Sequence, residues 1–108
     1  MANKLYDQTK QGTRVLFDEN TAATHTVLAG TAGSSIRVLD WDLYLAAANT
    51  VTWNASTGGV QGSAWPYAAG SWVPNTREWF QIPAGEDLEL ILGSAAQVVG
   101  AVWYELVS

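Results

Sequence analysis

The sequence predicts an all-β protein, an antiparallel β-sandwich of jelly-roll type with about eight strands. Two segments, 37–45 and 86–92, alternate apolar and polar side chains with the period of two that marks a half-buried strand. Elsewhere short apolar segments are separated by Gly, Pro, Asn and Ser, and none has the periodicity of a helix longer than one turn. Eight short strands in about a hundred residues suit a jelly roll. An immunoglobulin-like sandwich is the nearest alternative, and the absence of its disulfide excludes it only weakly.

The two alternating segments also predict which side chains face the core. In each segment the apolar residues share one side of the strand and the acidic residues share the other. The predicted core-facing residues are Leu39, Trp41, Leu43, Leu45, Leu88, Leu90 and Leu92. The predicted outward-facing residues are Asp40, Asp42, Asp87 and Glu89. A register shift of one residue would reverse all of these assignments.

Each alternating strand is followed by a short turn and a second strand, which predicts two hairpins. The turns are the small-residue segments 46–49 and 93–97, and the returning strands begin at Thr50 and Val98. Weaker patterns predict further strands over residues 13–17, 24–28, 59–67, 72–73 and 78–82. Of the tryptophans in strand patterns (Trp41, Trp53 and Trp103), at least two are expected in the core or at a subunit contact.

Length and charge restrict the function classes. The 108 residues predict a flexible N-terminal arm over residues 1–11, which is polar and does not alternate, and a single sandwich domain over residues 12–108. A net charge of −5 with five scattered basic residues argues against binding nucleic acid, which requires clustered Lys and Arg. The N-terminus lacks the apolar core of a signal peptide, and no segment has the composition of a membrane span, so a soluble chain made in a cytoplasm is expected.

Catalytic and metal-binding patterns are weak. His25 is the only histidine, no Gly-x-Ser-x-Gly motif occurs, and the absence of cysteine excludes thiolate chemistry. The acidic groups at 40–42 and 86–89 have the residue types for calcium binding or acid–base catalysis, but on alternating strands they are better interpreted as a solvated face. The sequence therefore predicts a protein that is not an enzyme, with no cofactor and no metal.

A long uncharged segment predicts an interaction surface. No charged side chain occurs between Asp42 and Arg77, although ionised residues normally cover exposed surface. Within this segment Trp65, Tyr67 and Trp72 lie among glycines and prolines, where loop or edge positions are expected. We predict that these three aromatics contact another protein chain, because Trp and Tyr are enriched at interface hot spots. Stacking of a glycan on the same aromatics is the alternative.

Residues 36–106 resemble small bacteriophage virion proteins of the head decoration, or cement, type. The resemblance lies in the segments IRVL at 36–39, TVTW at 50–53 and EWF at 78–80, in PAGEDLEL at 83–90, and in AAQVVG at 95–100 with Tyr104. In that group, a Gly-Glu turn leads into an alternating strand and then into a hairpin. Residues 1–35 contribute nothing to the resemblance.

The resemblance implies a jelly-roll protein on the outer surface of a phage head, made in the host cytoplasm. It implies contacts with the major capsid protein and with sister subunits, as a homotrimer, and it supplies no catalytic residue. Small tail or fibre domains have similar sandwiches, so a tail-associated receptor-binding domain and a carbohydrate-binding module remain alternatives. Neither nucleic acid nor a membrane is an expected partner.

Overall fold

The computed structural model describes residues 12–60, 65–70, 72–74 and 80–108, and for residues 65, 66 and 72–74 it describes only the backbone. The predicted arm at residues 1–11 lies outside the described residues. The described residues form ten strands and no helix. In chain order the strands are β1 (Thr13–Glu19), β2 (Thr24–Leu28), β3 (Ser35–Leu45), β4 (Asn49–Ala55), β5 (Gly59–Val60), β6 (Trp65–Tyr67), β7 (Trp72–Pro74), β8 (Phe80–Ile82), β9 (Leu88–Leu92) and β10 (Val98–Val107).

The strands form two antiparallel sheets, which confirms the predicted all-β sandwich. Sheet A has the order β1-β10-β3, and β3 then pairs with β7 over one part of its length and with β8 over another. Sheet B has the order β2-β9-β4, and β4 likewise pairs with β5 and with β6. The two predicted hairpins are wrong, because β3 and β10 belong to sheet A while β4 and β9 belong to sheet B, so each of these turns crosses from one sheet to the other. The predicted number of about eight strands differs from ten because β5, β6, β7 and β8 are short pieces of two or three residues.

The core lies between the two sheets and contains most of the predicted residues. Leu43, Leu45 and the three leucines of β9 are buried there, as their alternation predicts. The remaining large side chains that are fully buried all come from sheet A: Ile36, Val38, Ile82, Val98 and Val102. Asp40, Asp42, Asp87 and Glu89 are each partly exposed.

The prediction that Leu39 faces the core is wrong, and a β-bulge is the reason. Trp103 of β10 lies opposite Asp40, but Tyr104 lies opposite Val38, so Leu39 is an extra residue in β3. Because side chains alternate, an extra residue exchanges the two faces of the strand at that point. Before the bulge the even-numbered residues Ile36 and Val38 are therefore buried, and Leu39 is only half-buried.

Four aromatic rings pack against one another between the two sheets. The ring of Trp53, on β4 of sheet B, lies 5.9 Å from Phe17, 5.7 Å from Trp41 and 6.3 Å from Phe80, which all belong to sheet A. Of the tryptophans expected in the core or at a subunit contact, Trp53 is buried in the core and Trp41 is partly buried and packs against it. Gly100 provides the space for this cluster, because a Cβ at that position would overlap the Asp42 carbonyl oxygen and lie 2.9 Å from the Phe17 ring.

Leu90→Ala should lower the free energy of unfolding by about 2–5 kcal/mol, because the Leu90 side chain is 0% exposed and its removal leaves a cavity. Leu106→Ala is the matched control, since Leu106 is 52% exposed and its truncation should change stability by less than about 0.5 kcal/mol. Urea denaturation of both variants measures the difference. Equal losses in the two variants would contradict the assignment of Leu90 to the core.

Candidate interaction surfaces

The three aromatics predicted as an interface lie on two different sheets. Trp65 and Tyr67 belong to β6, at the edge of sheet B, where they lie opposite Val51 and Asn49 of β4. Trp72 belongs to β7 of sheet A and lies opposite Tyr44 of β3. The chain crosses between the sheets after Tyr67, and the Gly70 amide donates a hydrogen bond to the Leu45 carbonyl at 2.7 Å. The structure therefore brings the three residues to one side of the sandwich, along the β6–β7 connection.

Tyr67 divides its surface between the core and solvent. Its ring is half-buried and packs against the hydrophobic core, and this burial raises the pKa of its hydroxyl above the ordinary value. Only the remaining part of the ring is available to a partner. The side chains of Trp65 and Trp72 lie outside the described residues, so their role in an interface stays a prediction.

Part of the uncharged segment is core rather than surface. In β4 the side chains of Asn49, Val51, Thr52, Trp53 and Ala55 are all buried. This strand lies between β9 on one side and β5 and β6 on the other, so neighbouring strands cover both of its edges. The lack of charge there follows from burial within the chain. The same explanation does not extend to residues 68–70, which are exposed.

Asn49 is a structural residue that the sequence did not single out. Its buried carboxamide donates to the carbonyls of Ser94, at 3.0 Å, and Ala96, at 2.9 Å, and accepts a hydrogen bond from the Ser94 amide at 2.9 Å. These bonds tie the turn after β3 to the turn after β9. A buried amide is stable only with such partners, but the partners lie 45 or more residues away along the chain. No local pattern indicates them.

The acidic residues at 86–89 hold loops together. One Glu86 oxygen accepts hydrogen bonds from the amides of Thr57, at 2.8 Å, and Gly58, at 2.5 Å. Asp87 accepts one from the Gly30 amide at 2.7 Å, and Glu89 accepts one from the Asn54 side chain at 2.7 Å. The sequence interpretation of these acids as a plain solvated face missed these bonds. Within the described ranges no group of three or more His, Cys, Asp or Glu side chains is arranged to hold a metal ion.

The His25 side chain contacts residues at the end of β1 and in the β1–β2 connection. Its Nε2 lies 2.9 Å from the Thr21 carbonyl oxygen, and its Nδ1 lies 3.2 Å from a carboxylate oxygen of Glu19. Glu19 belongs to sheet A and His25 to sheet B, so the contact joins the two sheets at this side of the sandwich. This is a structural arrangement, since both ring nitrogens already face partners within the chain.

A shallow groove of about 630 Å³ crosses the outer face of sheet A. Its lining includes the apolar residues Leu16 and Ala101 and the aromatic residues Tyr44 and Trp103. Three charged residues border it: Arg14, Asp18 and Asp42. The sequence did not predict this groove because its residues come from three strands that are distant in the chain. The one local indication of an exposed strand face is that Arg14, Leu16 and Asp18 lie two residues apart, which places them on the same side of a strand.

No family model, curated protein or solved structure matches this chain. Among the residues that the structure describes, there is no helix long and apolar enough to cross a bilayer.

Alkaline pH should destabilise the fold through Tyr67. Burial raises the pKa of this hydroxyl above its ordinary value of 10.0, so above that pH the unfolded chain loses the proton first and the free energy of unfolding falls. Urea denaturation from about pH 8 to about pH 11 should show a steeper alkaline fall for the parent than for Tyr67→Phe. Tyr44→Phe is the matched control, because that ring is 46% exposed, and it should behave like the parent. Identical curves for the parent and Tyr67→Phe would contradict burial of the hydroxyl.

Proposed function

We propose that this chain is a non-enzymatic structural protein of a phage virion, which decorates or cements the outer surface of the head. In this role it contacts sister subunits and the major capsid protein, and the homotrimer is the association that the resemblance implies. The observation that carries the proposal is the order of the strands. The resemblance of residues 36–106 to decoration proteins supplies the place in the virion.

The strand order supports a jelly roll, the fold that the resemblance implies. If β5 and β6 are counted as one strand and β7 and β8 as another, the chain has eight strands, four in each sheet. Each strand of the first half then pairs with its mirror-image counterpart in the second half: β1 with β10, β2 with β9, β3 with β7 and β8, and β4 with β5 and β6. A long antiparallel ribbon wrapped into a sandwich would pair its strands in this way, so the pairing supports a jelly roll.

The use of the polar side chains supports a structural role over a catalytic one. Glu86, Asp87 and Glu89 accept hydrogen bonds from loop amides or from an asparagine, and His25 contacts Glu19 and Thr21. A general base needs a lone pair directed at a substrate in a cleft. These side chains are instead engaged in holding one loop or strand to another.

Introducing charge into the β6–β7 connection should weaken attachment to the capsid. Ala68→Lys places a charge on an exposed residue of this uncharged connection, and Ser71→Glu places one three residues later in the sequence. A charge buried at a dry protein interface costs free energy that no partner compensates. Each variant should therefore bind purified heads of the encoding phage at least about tenfold more weakly than the parent, as measured by co-sedimentation.

Ala22→Lys is the control for those variants. Ala22 is also exposed but lies in the β1–β2 connection, at the other side of the sandwich, so its variant should bind heads like the parent. If Ala68→Lys and Ser71→Glu also bind like the parent, the β6–β7 connection is not the contact surface. Failure of the parent to bind heads would contradict the decoration role itself.

The groove on sheet A favours a second candidate, glycan binding. Sugar rings stack on exposed aromatic faces, and carboxylates accept hydrogen bonds from sugar hydroxyls. The groove brings Tyr44, which is 46% exposed, together with Asp18 and Asp42, and the partly exposed Trp103 also lines it. In this case the chain would act as a carbohydrate-binding module or as a receptor-binding domain of a tail or fibre.

A glycan array followed by fluorescence titration tests this candidate. Binding should change the tryptophan fluorescence, because Trp103 lines the groove, and Tyr44→Ala should weaken it about tenfold. Leu106→Ala is the control, since Leu106 is exposed but does not line the groove. A chain that binds no glycan on the array, or a Tyr44→Ala variant that binds like the parent, would contradict glycan binding in this groove.

A further inference from the structure

We infer that two copies of this chain pair through their β1 strands and so form a symmetric dimer with a continuous sheet. The pairing uses the edge of sheet A and does not depend on the proposed virion role, and it replaces the homotrimer that the resemblance implies. It is carried by two observations: β1 is the one edge strand that is left open among the described strands, and its sequence is complementary to itself.

The other described edge strands are blunted against further pairing. The second edge of sheet A is formed by β7 and β8, and one edge of sheet B is formed by β5 and β6. Each of these strands has only two or three residues, and Pro66 and Pro74 lie in β6 and β7. The remaining edge strand, β2, is interrupted by a register shift between Thr26 and Leu28. Short strands, prolines and bulges are the features with which proteins prevent edge-to-edge association.

β1 has none of these features. It runs for seven residues, contains neither proline nor lysine, and pairs with β10 in unbroken register from Thr13 to Glu19. In the part of the chain that the structure describes, only β10 pairs with it, so no other described strand covers its second edge. Such an edge is a template for addition of another strand. Leu16, at the middle of β1, is 64% exposed.

The sequence of β1 matches an antiparallel copy of itself about Leu16. A twofold axis at Leu16 places Arg14 of each copy opposite Asp18 of the other, which forms two pairs of opposite charge. Arg14, Leu16 and Asp18 all line the outer groove, so these pairs lie on one face of the sheet. Opposite charges directly across a strand pair stabilise it.

The inner face is complementary in the same register. Val15 of each copy lies opposite Phe17 of the other, and both side chains already pack in or against the core. The shared sheet would thus continue the apolar layer of one copy into that of the next. Leu16 would meet Leu16, which removes exposed apolar surface from both copies. The contact is isologous, so it closes as a dimer and does not propagate.

Asp18 and Arg14 are available for this contact. Gln97 donates a hydrogen bond to Oδ1 of Asp18 at 3.0 Å, which leaves Oδ2 for an arginine. Both Arg14 and Asp18 are exposed, so exchanging their charges should not disturb the fold. This makes a charge swap the decisive experiment.

Sedimentation equilibrium of the full chain should give a mass of about 23 kDa, twice the 11.6 kDa of one copy. The concentrations should run from ~1 μM to ~1 mM, the range in which weak association is measured. Arg14→Glu and Asp18→Arg should each raise the dissociation constant about tenfold, because each places like charges opposite one another twice. The double variant, Arg14→Glu with Asp18→Arg, should return to the parent value.

Leu16→Lys should make the chain monomeric, and Val60→Lys should not. Val60 is the matched control because it is 54% exposed on β5, an edge strand of the other sheet. A parent that stays monomeric throughout, or that sediments as a trimer of about 35 kDa, would overturn the inference, since a threefold axis cannot place β1 against β1. A double variant that associates as weakly as the single variants would overturn it as well.

Discussion

The contact of Trp53 with three aromatic rings of the opposite sheet is the interaction on which the rest of the structure depends. Phe17 approaches it edge-on at an interplanar angle of 89°, and Trp41 and Phe80 pack beside it at 55° and 41°. Tilted and edge-to-face pairs are the favourable arrangements of aromatic rings. The cluster joins β1, β3 and β8 of sheet A to β4 of sheet B, so it determines how one sheet lies over the other. Gly100 makes room for it by having no side chain.

The loops are held by buried or partly buried polar side chains. Asn49 joins the turn after β3 to the turn after β9. Glu86 and Asp87, just before β9, accept hydrogen bonds from the loop amides of Thr57 and Gly30. These hydrogen bonds satisfy loop amides and carbonyls that no strand pairs. The same bonds explain why acidic residues that have the chemistry for catalysis or metal binding serve the architecture. Among the described residues, the surfaces that remain for a partner are the β6–β7 connection, the outer groove and the β1 edge.

The two sides of the sandwich differ in the length and regularity of their edge strands. On one side the edge consists of short strand pieces and prolines, which discourage strand addition. On the other side β1 is long and regular, and an exposed leucine lies at its centre. A structural protein that packs among copies of itself needs at least one edge or face that favours association. The asymmetry of the edges therefore connects the fold to the proposed role, although each is tested by a different variant.

What the sequence by itself determined was local: the all-β class, the antiparallel sandwich, and the inward direction of Leu43, Leu45, Leu88, Leu90 and Leu92. Alternation within one strand is enough for the directions of the leucines, because successive side chains point to opposite faces, and the sandwich follows from the short strands separated by turn residues. Only the tertiary structure decided the direction of Leu39, because the bulge there is visible only in the pairing of β3 with β10. It also decided that the uncharged β4 is buried, that Asn49 ties two turns together, and that a groove forms across β1, β10 and β3. Each of these depends on which strands pair with each other. The alternation of side chains along one strand does not specify the strands beside it, so these features appear only in the assembled sheets.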